Sequence, residues 1–86
     1  METTIEEKRA LIAFGCGNYQ NTIKRLCMVA ALTPNAEAKA LFSQLSVRLS
    51  EEMEEKDYSV FISGIRKEME IYDFAVWVLK RQIMEV

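Results

Sequence analysis

Apolar residues recur along 61–83 at alternating steps of four and three: Phe61, Ile65, Met69, Tyr72, Val76, Leu79 and Ile83. That rhythm is the stripe of an α-helix. Inside it, residues 69–79 read Met-Glu-Ile-Tyr-Asp-Phe-Ala-Val-Trp-Val-Leu, with only Glu70 and Asp73 polar. A helix of this composition is apolar on nearly every side, the pattern of one buried in a bundle or shared with a second chain. Tyr, Phe, Val and Trp also favour strands, so composition leaves a buried strand open; the period favours the helix. The rest of the chain is expected to pack around this segment.

Three earlier helices are predicted. Thr3 with Glu6 and Thr4 with Glu7 are overlapping capping boxes that start the first helix. Its apolar positions are Ile5, Leu11, Ile12 and Phe14, and Gly15-Cys16-Gly17-Asn18 stops it, with glycine able to take a left-handed cap. Asn18 caps a second helix with the stripe Tyr19, Ile23, Leu26, Cys27, Ala30 and Ala31, while Lys24 and Arg25 point away. Thr33-Pro34 reads as an N-cap followed by proline at the first helical position. The third helix is then expected over 34–55, with Ala38, Leu41, Phe42, Leu45, Leu49 and Met53 inward. Asp57 caps a fourth helix, bent or interrupted near Ser63-Gly64, that carries the apolar segment. The expected fold is all-α, a small four-helix bundle with a long apolar C-terminal helix, in one domain over 1–86.

Composition agrees with that reading. Half of the 86 residues are hydrophobic, and three glycines and one proline are too few for a chain of hairpins. The net charge is −2: residues 1–43 carry five Lys or Arg against four acids, and residues 44–86 carry six against nine. Nucleic-acid binding, which draws on a basic excess, is therefore disfavoured. Two cysteines are too few for a disulfide framework, residues 1–5 lack the features of a secretory signal, and no apolar run is long enough to span a bilayer. A cytoplasmic protein with reduced thiols is expected.

Histidine is absent, which removes the usual general base and the commonest metal ligand. Cys16, between two glycines, reads as a turn cysteine that could carry a lowered pKa near the start of a helix, and Cys27 as a small core residue. One spacing could carry chemistry. Glu52-x-x-Glu55 and Glu70-x-x-Asp73 each place two carboxylates on one helical face, so on facing helices they could hold Mg²⁺ with four hard oxygens. This pattern resembles that of the MazG-like all-α nucleotide pyrophosphohydrolases, and the resemblance implies Glu52, Glu55, Glu70 and Asp73 as metal ligands. A solvated acidic helix end and an interfacial Asp73 account for the same residues without a metal.

The second helix, Thr33-Pro34 and the third helix can be drawn as a DNA-binding helix-turn-helix. Ala, Glu, Lys and Ala opening the supposed recognition helix offer little to read base edges, and an αα-hairpin is the simpler reading. A second resemblance spans about residues 5–65. Glu6-Glu7, Leu11-Ile12-Ala13-Phe14, the Gly-Cys-Gly-Asn turn, Thr22-Ile23-Lys24-Arg25-Leu26, Leu45 with Leu49, and Met53 followed by Asp57 and Phe61 are similar to the transposon-transfer assisting proteins of bacterial integrative elements. That resemblance implies an accessory protein of a mobile element, with no catalytic residues to carry over. The favoured function is a non-enzymatic helical module, needing no cofactor. It homodimerises or binds a protein partner through Tyr72, Val76, Trp77 and Leu79.

Overall fold

The computed structural model describes residues 1–84, with side chains placed through Arg81. It is all-α, with four helices: α1 (Ile5–Phe14), α2 (Tyr19–Leu32), α3 (Ala36–Glu52) and α4 (Glu55–Met84). The molecule measures 47 × 32 × 18 Å. A 30-residue helix rising about 1.5 Å per residue is ~45 Å long, so α4 sets the long dimension and the other three helices gather along part of it.

The starts of α1, α2 and α3 are each fixed by a side chain that satisfies a free amide. Of the two overlapping boxes, the second forms: Thr4 Oγ1 accepts from the Glu7 amide at 3.2 Å while the Glu7 carboxylate accepts from the Thr4 amide at 3.0 Å. The other carboxylate oxygen of the buried Glu7 pairs with Arg48 on α3 at 2.6 Å, so one residue both starts α1 and ties it to α3. Arg48 also reaches Glu52 and the Glu2 carbonyl. Asn18 caps α2 through the Asn21 amide at 2.9 Å.

The α2–α3 junction differs from the expected one. Asn35, not Thr33, caps α3, accepting from the Ala38 amide at 3.0 Å, and α3 starts at Ala36. Thr33 instead donates its hydroxyl back to the Val29 carbonyl at 2.6 Å and closes α2. A threonine can bond either forward or backward along the chain, and with an asparagine two residues on, the forward cap is already supplied. α3 also ends earlier than expected, at Glu52, where the buried Tyr19 hydroxyl lies 2.7 Å from the carbonyl of the C-cap residue Met53 and 3.0 Å from that of Leu49. Asp57 is not a cap; α4 begins at Glu55, with Glu55 and Asp57 both in its first turn, where acids suit the macrodipole.

The first turn is held by a buried polar knot. Thr22, fully buried on α2, accepts from the Cys16 amide at 3.0 Å and lies 2.6 Å from the Tyr58 hydroxyl, which sits 2.5 Å from the Cys16 carbonyl. Tyr58 is on the first turns of α4 and is 1% exposed, and its ring lies 5.6 Å from that of Tyr19. Gly15 is extended rather than left-handed, with φ −78°. Its need for glycine is steric: its amide donates to the Leu11 carbonyl at 2.9 Å, and a Cβ there would stand 2.3 Å from that oxygen.

The core draws on all four helices: Ala10 and Leu11, Tyr19 and Leu26, Leu45 and Leu49, then Tyr58, Ile62, Ile65 and Met69. The expected stripe of α3 faces it, with Leu45 and Leu49 fully buried and Leu41, Phe42 and Met53 packed alongside. Cys27, expected inside, is exposed, at the edge of a groove between α2 and α3. α4 runs unbroken through Gly64, where a Cβ would meet nothing within 4 Å, so the helix has no steric reason to bend there.

The largest correction concerns residues 69–79. They are not the buried centre. The stripe Phe61, Ile65, Met69 enters the core, but Tyr72 is 39% and Leu79 59% exposed, and the Ile83 side chain lies outside the described residues. α1 is only 10 residues long. Its last contacts along α4 are Ile12 and Ala13 beside Met69 and Asp73, and Arg9 on Asp73. α2 and α3 form the most extensive helix pair and spend their apolar faces chiefly on each other. Nothing among the described residues is long enough to follow α4 further.

Tyr58→Phe leaves the Thr22 and Cys16 groups short of a buried partner and should cost about 1–3 kcal/mol in urea unfolding at neutral pH. Burial pushes the Tyr58 hydroxyl above its ordinary ionisation range, so the folded state holds that proton longer than the unfolded chain. Stability should therefore be level below the unfolded tyrosine value of about 10 and fall as pH rises past it. In Tyr58→Phe that alkaline fall should be smaller. Two glycines should respond oppositely to alanine: Gly64→Ala should stabilise by about 0.5–1 kcal/mol, while Gly15→Ala should destabilise by at least ~1 kcal/mol, both read from thermal melts.

Candidate functional site

Beyond Asp73 the helix continues without cover. From Phe74 to Arg81 every residue is exposed except the half-buried Val76 and Val78. Four large apolar side chains stand out here: Ile71 at 71%, Phe74 at 66%, Trp77 at 54% and Leu79 at 59%. Isolated exposed apolar residues are ordinary, but a contiguous group on one element marks an interaction surface.

The geometry of the segment follows from helical spacing. Phe74 and Trp77, three apart, stack with ring centroids 6.2 Å apart and planes 30° from parallel. Arg81, four residues on, places its guanidinium 5.3 Å from the centre of the Trp77 ring. The surface begins at Arg9 of α1, which lies 5.5 Å from the Tyr72 ring centre and 3.4 Å from Asp73. The charges are polarised along the segment, with Glu68, Glu70 and Asp73 at its start and Lys80 and Arg81 at its end.

Of the residues expected to bind a partner, Tyr72, Val76 and Leu79 continue the core stripe into solvent. Trp77 does not share their face. At about 100° per residue it projects to a different side, in line with Glu70, Phe74 and Arg81. Phe74 and Ile71 were not singled out by the sequence reading, although both are more exposed than Trp77. The signal for this face is the 4-3-4 spacing of Glu70, Phe74, Trp77 and Arg81, which the apolar residues on the other sides of the segment mask.

The carboxylate quartet does not come together. Glu52 is near the end of α3, where it pairs with Arg48 at 3.1 Å. Glu55, Glu70 and Asp73 lie on the same unbroken helix, so the two pairs cannot face each other. Glu55 and Glu70 are separated by about 22 Å of helix. Asp73 is engaged by Arg9. Among the described residues no group of three or more His, Cys, Asp or Glu is placed to hold a metal ion. The α2–Thr33-Pro34–α3 unit is an αα-hairpin whose two helices pair along their length. Cys16 is half-buried, and hydrogen bonding to the Asn18 backbone draws its thiol below the ordinary value against the opposing effect of burial. Among the described residues no base or second thiol stands beside it to give that shift a chemical use.

Comparisons with protein-family models, with curated proteins and with solved structures gave no match.

Because the four carboxylates are apart, millimolar Mg²⁺ or Mn²⁺ should leave the melting temperature of the chain unchanged. Glu70→Gln and Asp73→Asn should melt at the same temperature with and without the ion.

Proposed function

We propose that this chain is a non-enzymatic helical protein-interaction module whose working surface is the distal half of α4. The observation that carries the reading is the group Ile71, Phe74, Trp77 and Leu79, all more than half exposed on a helix that runs beyond the core supporting it. Aromatic residues in such a patch are the usual anchors of association, since they remove much apolar area from water at small cost in side-chain freedom. The fold supplies a rigid base for it: residues 58–69 of the same helix are fixed by Tyr58, Ile62, Ile65 and Met69 in the core.

The partner proposed for this surface is a protein; no helix among the described residues is long and apolar enough to cross a membrane. A cytoplasmic setting is part of the proposal, supported by the two free cysteines. So is service as an accessory protein of a bacterial mobile element; that part is supported by the resemblance over residues 5–65 to the transposon-transfer assisting proteins.

Trp77 is the only tryptophan, so its fluorescence reports on the surface directly. In dilute protein its emission should be that of a hydrated indole and should be quenched readily by acrylamide, with protection appearing when the surface is occupied. Blue, unquenchable emission from the dilute monomer would contradict the reading.

A further inference from the structure

Resting on that reading of the surface, we infer that its occupant is a second copy of this chain, packed antiparallel along α4. Glu70, Phe74, Trp77 and Arg81 of one protomer then face Arg81, Trp77, Phe74 and Glu70 of the other.

The four residues fall at steps of four, three and four, which places them on one narrow stripe of the helix. The sequence of steps is the same read in either direction, so an inverted copy meets the stripe in register. Chemistry is inverted in the matching way. The acid stands at one end, the base at the other, and the two aromatic residues between them. In the antiparallel arrangement each Glu70 meets an Arg81, and the Phe74–Trp77 stack of one chain packs against the Trp77–Phe74 stack of the other. A parallel pair would set Glu70 against Glu70 and Arg81 against Arg81, which is repulsive at both ends. Antiparallel packing also opposes the two helix dipoles.

The flanks agree with the same register. On one side of the stripe lie Lys80 and Asp73, the latter paired with Arg9, and inversion brings Lys80 of one protomer near the Arg9–Asp73 pair of the other. On the other side lie Ile71 and Val78, and inversion brings these two apolar residues together. Apolar surface therefore meets apolar surface on one flank, while on the other Lys80 reaches a carboxylate that Arg9 of its own protomer also holds. The interface is isologous and closes as a two-fold dimer, with no edge left to propagate. Arg81 already lies over Trp77, and it keeps that contact while its guanidinium edge reaches the partner's carboxylate.

The stripe extends about 16 Å, which is short for a helix–helix interface. The dimer is accordingly of the weak, exchanging kind, with affinity from the aromatic centre and orientation from the terminal ion pairs.

Sedimentation equilibrium of the full chain over micromolar to millimolar concentrations tests this, with Glu70→Arg, Arg81→Glu and the double reversal beside the native sequence. The native chain should show a reversible monomer–dimer equilibrium. Each single reversal creates two like-charge contacts per dimer and should weaken association about tenfold or more, and the double reversal should restore it to within about threefold. Trp77→Ala should abolish the dimer, while thermal melts show the helical fold intact. Equal association of the native chain and both single reversals would overturn the antiparallel pairing, as would a native chain that stays monomeric throughout. In the second case, Trp77 still quenched by acrylamide would leave the interaction surface standing with a different protein as its occupant. Trp77 shielded in that monomer would remove the surface reading as well.

Discussion

Two buried tyrosine hydroxyls hold this fold together. Tyr58, on the first turns of α4, reaches Thr22 and the Cys16 carbonyl and so locks the α1–α2 turn against α4. Tyr19, the first residue of α2, reaches the carbonyls at the end of α3 and ties that end to α2. Their rings lie side by side, so one aromatic pair sits where three helix ends and the start of the fourth converge. Each hydroxyl satisfies backbone groups that a turn or helix end would otherwise leave unpaired in the interior, where an unmade hydrogen bond is costly. With those ends fixed, the packing of Leu26, Leu45, Leu49 and Ile62 follows.

The same arrangement explains why α4 has two different halves. Tyr58, Ile62, Ile65 and Met69 form an ordinary inward stripe against which α1 and α2 pack, with α3 paired to those two helices. Past Asp73 those helices have ended or turned onto one another, yet the chain continues as helix with apolar side chains on several sides. A segment of this kind gains its stability from the core at its base and leaves its side chains available for contact. Support and surface lie on one continuous rod, with no loop between them to absorb motion.

Much of this was legible in the sequence. The four helices, the Thr4–Glu7 box, the Asn18 cap and the inward stripe of α3 could be read from spacing and cap chemistry, because those signals are local. What could not be read depended on distances across the molecule. Nothing local distinguishes Thr33 bonding forward from Thr33 bonding back to Val29. The burial of Thr22 and Glu7 depends on partners 36 and 41 residues away. The exposure of residues 71–79 turns on where the other helices lie along α4, so an apolar segment that looked like a core was an uncovered face. The paired-carboxylate pattern failed for a related reason: spacing puts residues on a face, but only the path of the chain decides whether two faces meet, and one unbroken α4 keeps them apart.

The central claim is that α4 is core along residues 58–69 and surface along residues 74–81. Amide hydrogen exchange resolved along α4 in dilute protein tests it most directly. Residues 58–69 should exchange only through global unfolding, and residues 74–81 should exchange faster, through local opening of an unsupported helix. Equal, global protection along the whole helix in the monomer would contradict it, since the distal half would then be as firmly packed as the core.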